Sequence, residues 1–145
     1  MGLVAGKITR NEFWTTQLSR FLKERAAMPF EWGVNDCLLF AADAVLAITG
    51  VDLAEDVRGG YDSEETADTL LSQYGGMEAA VTAAIGMEPH YNPLLAKRGD
   101  VALVEVLGNP ALAIVDDSGA RLAVARSRDG IQRLPLTAAK KIWSY

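Results

Sequence analysis

The segment from residue 37 to residue 50 constrains this chain more than any other part of the sequence. Its first twelve residues, CLLFAADAVLAI, carry one charge, that of Asp43. Asn35 or Asp36 before the segment is typical of a helix N-cap, and the glycine at its end is typical of a helix C-terminus. A helix that is apolar nearly all round has to be buried. We therefore predict a central helix over about 37–49, against which the other elements pack.

Three further helices are predicted in the first two-thirds of the chain. The apolar spacing after Thr9 describes one helical face, and Thr9 with Glu12 has the pattern of a capping box. The stretch Asp62-Ser-Glu-Glu has the polar residues of another helix start, and paired glycines follow it. These signals predict helices over about 10–27, 63–74 and 77–85.

From residue 99 the pattern changes to short runs rich in Val, Leu, Ile and Ala. Gaps with Gly, Asn, Ser and Asp separate the runs, which is the chemistry of tight turns. The runs predict an antiparallel meander with strands at about 100–106, 111–117, 121–126 and 131–136, and Pro135 suits an edge strand. Helices followed by strands are typical of the α+β class. The length of 145 residues indicates one domain over 1–145, helical over about 9–86 and sheet over about 99–145.

Composition narrows the classes of function. The chain has one cysteine and one histidine, which can form neither an internal disulfide nor a tetrahedral zinc site, so we expect no metal or other cofactor. No apolar run approaches the roughly 20 residues of a membrane span. The start, Met1–Lys7, lacks the pattern of a signal peptide. We therefore expect no membrane association and a cytoplasmic location.

Charge is distributed unevenly along the chain. Residues 52–68 contain seven acidic side chains against Arg58 alone, whereas residues 97–145 contain eight basic and five acidic ones. The acidic stretch is expected to be an exposed surface, either merely solvated or used to orient the protein in an assembly. The basic residues are scattered without an aromatic–basic repeat, so a nucleic-acid partner is not expected.

Cys37 can be interpreted in two ways. A thiol in the first turn of a helix lies in the positive end of the helix dipole, which lowers its pKa and favours the reactive thiolate. A lone cysteine can equally be a small buried apolar residue. A redox-sensing thiol is a third interpretation, but such thiols usually have a resolving cysteine, which this chain lacks.

The order of several short motifs resembles a known family. "FEWGVNDC" before the apolar helix, followed by "RGDVALVEV", "ALAIV" and "RLAVARSRDGI", is similar to the NlpC-type cell-wall peptidases, which are papain-like cysteine hydrolases. The nearest likeness is to a phage and prophage branch of uncharacterised, tail-associated domains. It extends over about residues 10–143, and the matched positions are Trp32, Gly33, Asp36, Cys37, Gly60, Tyr61, Gly99 and Asp100.

The resemblance implies a papain-like α+β fold in which the central helix packs on an antiparallel β-meander. Cys37 then takes the nucleophile position, with Asp36 beside it as the helix cap. The histidine of the family falls on Ala111, and its third polar residue falls on Val124. Neither an alanine nor a valine can accept the thiol proton. We also expect the face of the strand that carries Ala111 and Ala113 to meet the start of the central helix.

His90 is the one other candidate base, and it precedes the first predicted strand, whereas the histidine position follows that strand. We therefore expect a degenerate peptidase-like protein that acts in phage-tail assembly or as a binding module. Its expected partners are other tail proteins, with virion association after assembly. The alternative is an active thiol hydrolase of peptidoglycan peptides or related amides, in which Cys37 uses an unrecognised base.

Overall fold

A computed structural model describes residues 8–145, and four α-helices precede five β-strands in it. The α+β class is therefore confirmed. The Met1–Lys7 start, on which the signal-peptide prediction rests, lies outside the described residues. The helices are α1 (Trp14–Arg25), α2 (Cys37–Thr49), α3 (Glu64–Ser72) and α4 (Met77–Ile85). The strands are β1 (Val101–Val106), β2 (Asn109–Val115), β3 (Arg121–Ser127), β4 (Gly130–Pro135) and β5 (Lys141–Trp143).

The predicted central helix is present, and its ends follow local chemistry. Asp36 is the N-cap of α2, and its side chain accepts a hydrogen bond from the backbone N–H of Leu39. Gly50 ends the helix in the left-handed conformation, which glycine adopts without a steric penalty. Eight of the thirteen residues of α2 are buried, so this helix forms the middle of the core.

The five strands form one antiparallel sheet with the order β4-β3-β2-β1-β5. The first four strands are the predicted meander. β5 lies beyond the four runs named from the sequence, and the chain crosses from β4 to the opposite edge of the sheet, where β5 pairs with β1. Pro135 lies in the edge strand β4, where its missing N–H leaves no partner strand without a donor.

Alternate residues of β2 lie on opposite faces of the sheet. Leu112 and Ile114 belong to the core cluster that contains Phe40 of α2, whereas Ala111 and Ala113 belong to a second cluster on the other face. The predicted contact between the alanine face and the start of the central helix is made at Cys37, the first residue of α2, which lies in the alanine cluster. The other buried residues of α2 lie in two different clusters.

The predicted N-terminal capping box is also wrong. α1 begins four residues later than predicted, after Phe13, which makes no side-chain capping bond. Tertiary contacts hold the preceding segment outside the helix: the N–H of Asn11 donates to Ile48 O at 2.8 Å, and the Arg10 side chain bonds to Asp100. A local capping motif cannot form where its backbone is held elsewhere. Across residues 8–145, no helix has the length and apolar character needed to cross a membrane.

Candidate functional site

Cys37 lies at the start of α2, as predicted, and beside a cavity. Its side chain is 3 % exposed. The cavity has a volume of about 280 Å³. Met77 and Pro110 contribute apolar wall to it, and Arg126 contributes a positive charge. The thiol therefore forms part of the wall of a small opening without projecting into solvent.

The expected low pKa of the Cys37 thiol is wrong for this environment. Burial raises the pKa of the thiol above its ordinary value, and the negative charge of Asp36 raises it further. A backbone hydrogen bond with Leu112 and the positive charge of Arg126 lower the pKa and offset part of this rise. At neutral pH Cys37 is therefore protonated, because the effect of burial on its pKa exceeds the opposite effect of the helix dipole.

The Asp36 side chain holds the backbone around Cys37 in place. Its carboxylate is buried and accepts three hydrogen bonds: from Leu39 N at 2.9 Å, from Gly33 N at 2.8 Å and from the Tyr61 hydroxyl at 2.7 Å. These bonds join the helix start, the loop before it and the segment before α3. Burial and the bond to Asp36 raise the pKa of Tyr61. Asp36 is thus a positioning residue.

The matched residues Gly33 and Tyr61 have a steric role in the same place. Gly33 has φ +80°, and a Cβ atom on it would lie 2.6 Å from Tyr61 O. Asn35, the alternative N-cap, serves the loop instead, since its amide donates to Met28 O and Pro29 O at 3.1 Å. The turn that leads into α2 therefore accounts for most of the sequence motif before Cys37.

The two positions assigned to the missing polar residues lie close to the thiol. Ala111 and Val124 are fully buried and share the apolar cluster of Cys37. Neither residue can accept a proton. Arg126, two residues beyond Val124 on β3, lines the cavity beside Cys37, and it is the polar group that sequence reasoning missed.

His90 lies away from Cys37, at the β5 edge of the sheet. It pairs with Ile142 of β5, which pairs with Ala102 of β1, which pairs with Ala113 of β2. At about 4.8 Å a step, three steps place His90 about 14 Å from β2. The structure does not bring the two candidate catalytic residues together.

Both ring nitrogens of His90 already have partners. The Asn92 N–H donates to Nδ1 at 3.2 Å, so the proton of the neutral ring is assigned to Nε2, which lies 2.8 Å from Ser144 Oγ. Ser144 in turn donates to Asp100 at 2.6 Å. Ser144 uses its hydroxyl proton in the bond to Asp100, so His90 donates to the Ser144 oxygen and does not act as a base toward the serine. The group joins His90 and Asp100 to Ser144, the residue that follows β5.

Asp100, matched to the glycine–aspartate of the family, is the centre of that group. Its buried carboxylate pairs with Arg10 at 2.7 Å. The Arg10 guanidinium lies 4.4 Å from the ring centroid of Trp14 and 4.6 Å from that of Tyr145. A Cβ atom on Gly99 would lie 3.0 Å from Ile48 and 3.1 Å from Arg10. This motif is therefore explained by packing.

The cavity beside Cys37 has an acidic side as well as a basic one. Glu64 and Asp68 of α3 line it opposite Arg126 and Asn109 of the sheet. The rim of the cavity therefore carries side chains of both charges. Within residues 8–145, no three His, Cys, Asp or Glu side chains gather closely enough to hold a metal ion.

Comparison with known proteins gives one match. The model of a family described as a domain of unknown function, DUF6950, matches residues 9–145. No curated protein matches the chain, and no solved structure matches it. The family match extends over all four helices and all five strands, and so over the whole surroundings of Cys37. The chain belongs to the DUF6950 family.

Proposed function

We propose that this protein is a papain-like domain of the NlpC type whose peptidase site has lost its base, and that it works as a binding module in phage-tail assembly. One observation carries the loss of activity: Cys37 shares a buried cluster with Ala111 and Val124, the positions assigned to the histidine and the third polar residue. General-base help from a histidine contributes typically about 10²–10⁴-fold to a rate.

The state of the thiol supports the same proposal. Burial raises the pKa of Cys37, and the neighbouring carboxylate of Asp36 adds to that effect. A cysteine nucleophile needs the opposite environment, in which a cation or a base favours the thiolate. Arg126 supplies a positive charge, but an arginine does not accept a proton at neutral pH.

The binding role is supported by the surface. All the acidic side chains of residues 52–68 except the partly exposed Asp52 are exposed, as predicted. Two of them, Glu64 and Asp68, line the cavity beside Cys37. Partners with a complementary positive surface, among other tail proteins, fit this arrangement, and binding through it should weaken as salt screens the charges.

The test is hydrolysis of peptidoglycan fragments by the purified protein, beside the variants Cys37→Ala and Ala111→His. We expect no turnover by the unmodified chain. Robust hydrolysis that is lost in Cys37→Ala would overturn the proposal, because it would require a working base. Activity gained in Ala111→His would support the assignment of that position.

The cavity favours one specific form of the alternative function, an active thiol hydrolase. Asp68 and Glu64 are the carboxylates that share the cavity with Cys37. If one of them serves as the base, Asp68→Asn or Glu64→Gln should abolish hydrolysis as completely as Cys37→Ala does. The exposed Glu65 of the same helix offers a matched control, Glu65→Gln.

A further inference from the structure

The loop between α4 and β1 presents three apolar side chains to solvent. Leu94 is 92 % exposed, Tyr91 is 73 % exposed and Leu95 is 61 % exposed. Single exposed apolar residues are ordinary on a protein surface, but a group of them marks an interaction site. We call the segment 91–95 the apolar knob.

The knob is held in place by its own hydrogen bonds. Two backbone bonds join His90 and Ile142, at 2.8 and 2.6 Å, and fix the beginning of the loop to β5. The Asn92 side chain accepts a 3.0 Å bond from Leu94 N and starts a short turn. The Lys97 N–H donates to the buried Asp100 and fixes the end of the loop. These bonds fix the backbone of the loop and so hold Leu94 and Leu95 at exposed positions.

A second apolar feature lies between α2, α3 and α4. It is a groove of about 300 Å³, at the lower end of the range for binding pockets. Six of the fifteen residues that line it are alanines, whose short side chains leave space, with Ala42, Ala80 and Ala83 on two of the helices. In the described part of the chain, Asp56 is the one charged side chain that lines the groove.

The charges around the knob and the groove have opposite signs. The exposed acidic residues Glu55 and Asp56 lie in the segment that forms one wall of the groove. The exposed basic residues Lys97 and Arg98 directly follow the knob, and Lys141 Nζ lies 5.2 Å from the ring centroid of Tyr91. Surfaces that match in apolar character and differ in charge are complementary.

We propose that the apolar knob of one copy of this chain inserts Leu94 and Leu95 into the groove of a second copy. Lys97 and Arg98 then face the acidic residues beside that groove. Because Leu94 is almost fully exposed, it does not occupy the groove of its own chain. A second copy is favoured as the occupant because one chain carries both complementary surfaces.

The contact joins two different surfaces, so the copies associate head to tail. Such contacts add subunits until a ring closes, or continue as a filament. This inference goes beyond the proposed function and rests on other residues than Cys37. An active hydrolase could form the same contact, so the hydrolysis assay and the association assay fail or succeed independently.

The test is sedimentation velocity over a range of protein concentrations. We expect the unmodified chain to associate in a concentration-dependent manner, and Leu94→Asp to raise the dissociation constant at least about tenfold. Leu107→Asp is the matched control, since Leu107 is 91 % exposed on the turn between β1 and β2, away from the knob. A monomer at every concentration, or an equal loss in Leu107→Asp, would overturn the proposal.

The groove is tested by Ala83→Trp, which fills it from an exposed position on α4. A mixture of Leu94→Asp chains and Ala83→Trp chains contains one intact knob and one intact groove, so it should form a 1:1 heterodimer that does not grow further. Failure of these two folded variants to pair would rule out head-to-tail insertion.

Thermal unfolding checks that each variant is folded. If Ala83→Trp does not fold, the exposed charges replace it. Lys97→Glu and Asp56→Lys should each weaken association of the otherwise unmodified chain, and a mixture of the two variants should regain it, because every contact between unlike chains then pairs opposite charges at positions 97 and 56. No recovery in that mixture would contradict the proposed facing of these two surfaces.

Discussion

The Tyr61 hydroxyl donates a 2.7 Å hydrogen bond to the Asp36 carboxylate, which caps the helix that begins with Cys37. Twenty-five positions separate the two residues along the chain. The bond fastens the segment before α3 to the start of the central helix. It also accounts for a tyrosine at position 61, since its hydroxyl meets the buried carboxylate that caps the helix.

We expect Tyr61→Phe to destabilise the protein by about 1–3 kcal/mol. The change removes one donor from a buried carboxylate, and an unsatisfied buried polar group carries a cost of that order. Urea unfolding measures it. Tyr91→Phe, at an exposed ring, is the control and should change the free energy of unfolding little. Equal stability of the Tyr61→Phe and unmodified proteins would mean that water or another donor replaces the hydroxyl.

The pH dependence of alkylation should report the two charges that act on Cys37. Because the pKa of the thiol is raised, the curve of alkylation rate against pH should have its inflection above about 8.5, the ordinary pKa of a cysteine. Asp36→Asn keeps a good N-cap residue but removes the negative charge, so the inflection should move to lower pH. Arg126→Gln removes the positive charge, so the inflection should move to higher pH.

These shifts have opposite signs, which separates them from a general loosening of the fold. A loosened fold would expose the thiol and speed alkylation in both variants. Shifts in the same direction would therefore contradict the electrostatic account of this site. The unfolding curve of each variant shows whether it is folded under the assay conditions.

Gly33→Ala should be more destabilising than Gly50→Ala. Both glycines have nearly the same positive φ, +80° and +79°, so alanine is strained at either position. A Cβ atom on Gly33 also meets Tyr61 O at 2.6 Å, whereas nothing lies within 4 Å of one on Gly50. The difference between the two free energies of unfolding isolates the cost of the close approach. Equal values would show that the loop moves away freely.

Arg10→Gln should destabilise the protein by about 3 kcal/mol near neutral pH, because it leaves the buried Asp100 carboxylate without its cation. Burial already raises the pKa of Asp100, partly against the bonds from Ser144 and Lys97 N and the charge of Arg10. Loss of Arg10 raises that pKa further. The stability linked to a raised pKa is present at low pH and is lost as the pH rises through the folded-state value.

The deficit of Arg10→Gln relative to the unmodified chain should therefore shrink as the pH falls from about 7 to about 5. Urea unfolding at both values measures the change. Arg20→Gln is the control, since Arg20 is exposed on α1 and should show little deficit at either pH. A deficit that grows toward low pH would mean that Asp100 is not the group left unpaired.

Much of the fold is predictable from the sequence because it depends on near neighbours. The N-cap at Asp36, the apolar run after it and the left-handed Gly50 define α2 within fifteen residues. The alternation and turn chemistry after residue 99 likewise predict four strands of the meander. The apolar character of Ala111 and Val124 is a property of the sequence alone, and it stands whatever the fold.

Tertiary structure decided what depends on distant residues. Arg10 and Asp100 are 90 positions apart, and their pairing holds residues 9–11 out of the helix that the local pattern predicts. The crossing of β5 to the far edge places His90 away from Cys37. The rise in the pKa of Cys37 results from burial by distant segments, which the helix dipole does not overcome. Capping and periodicity are local properties of the chain, whereas burial and ion pairing exist only once distant segments have packed together.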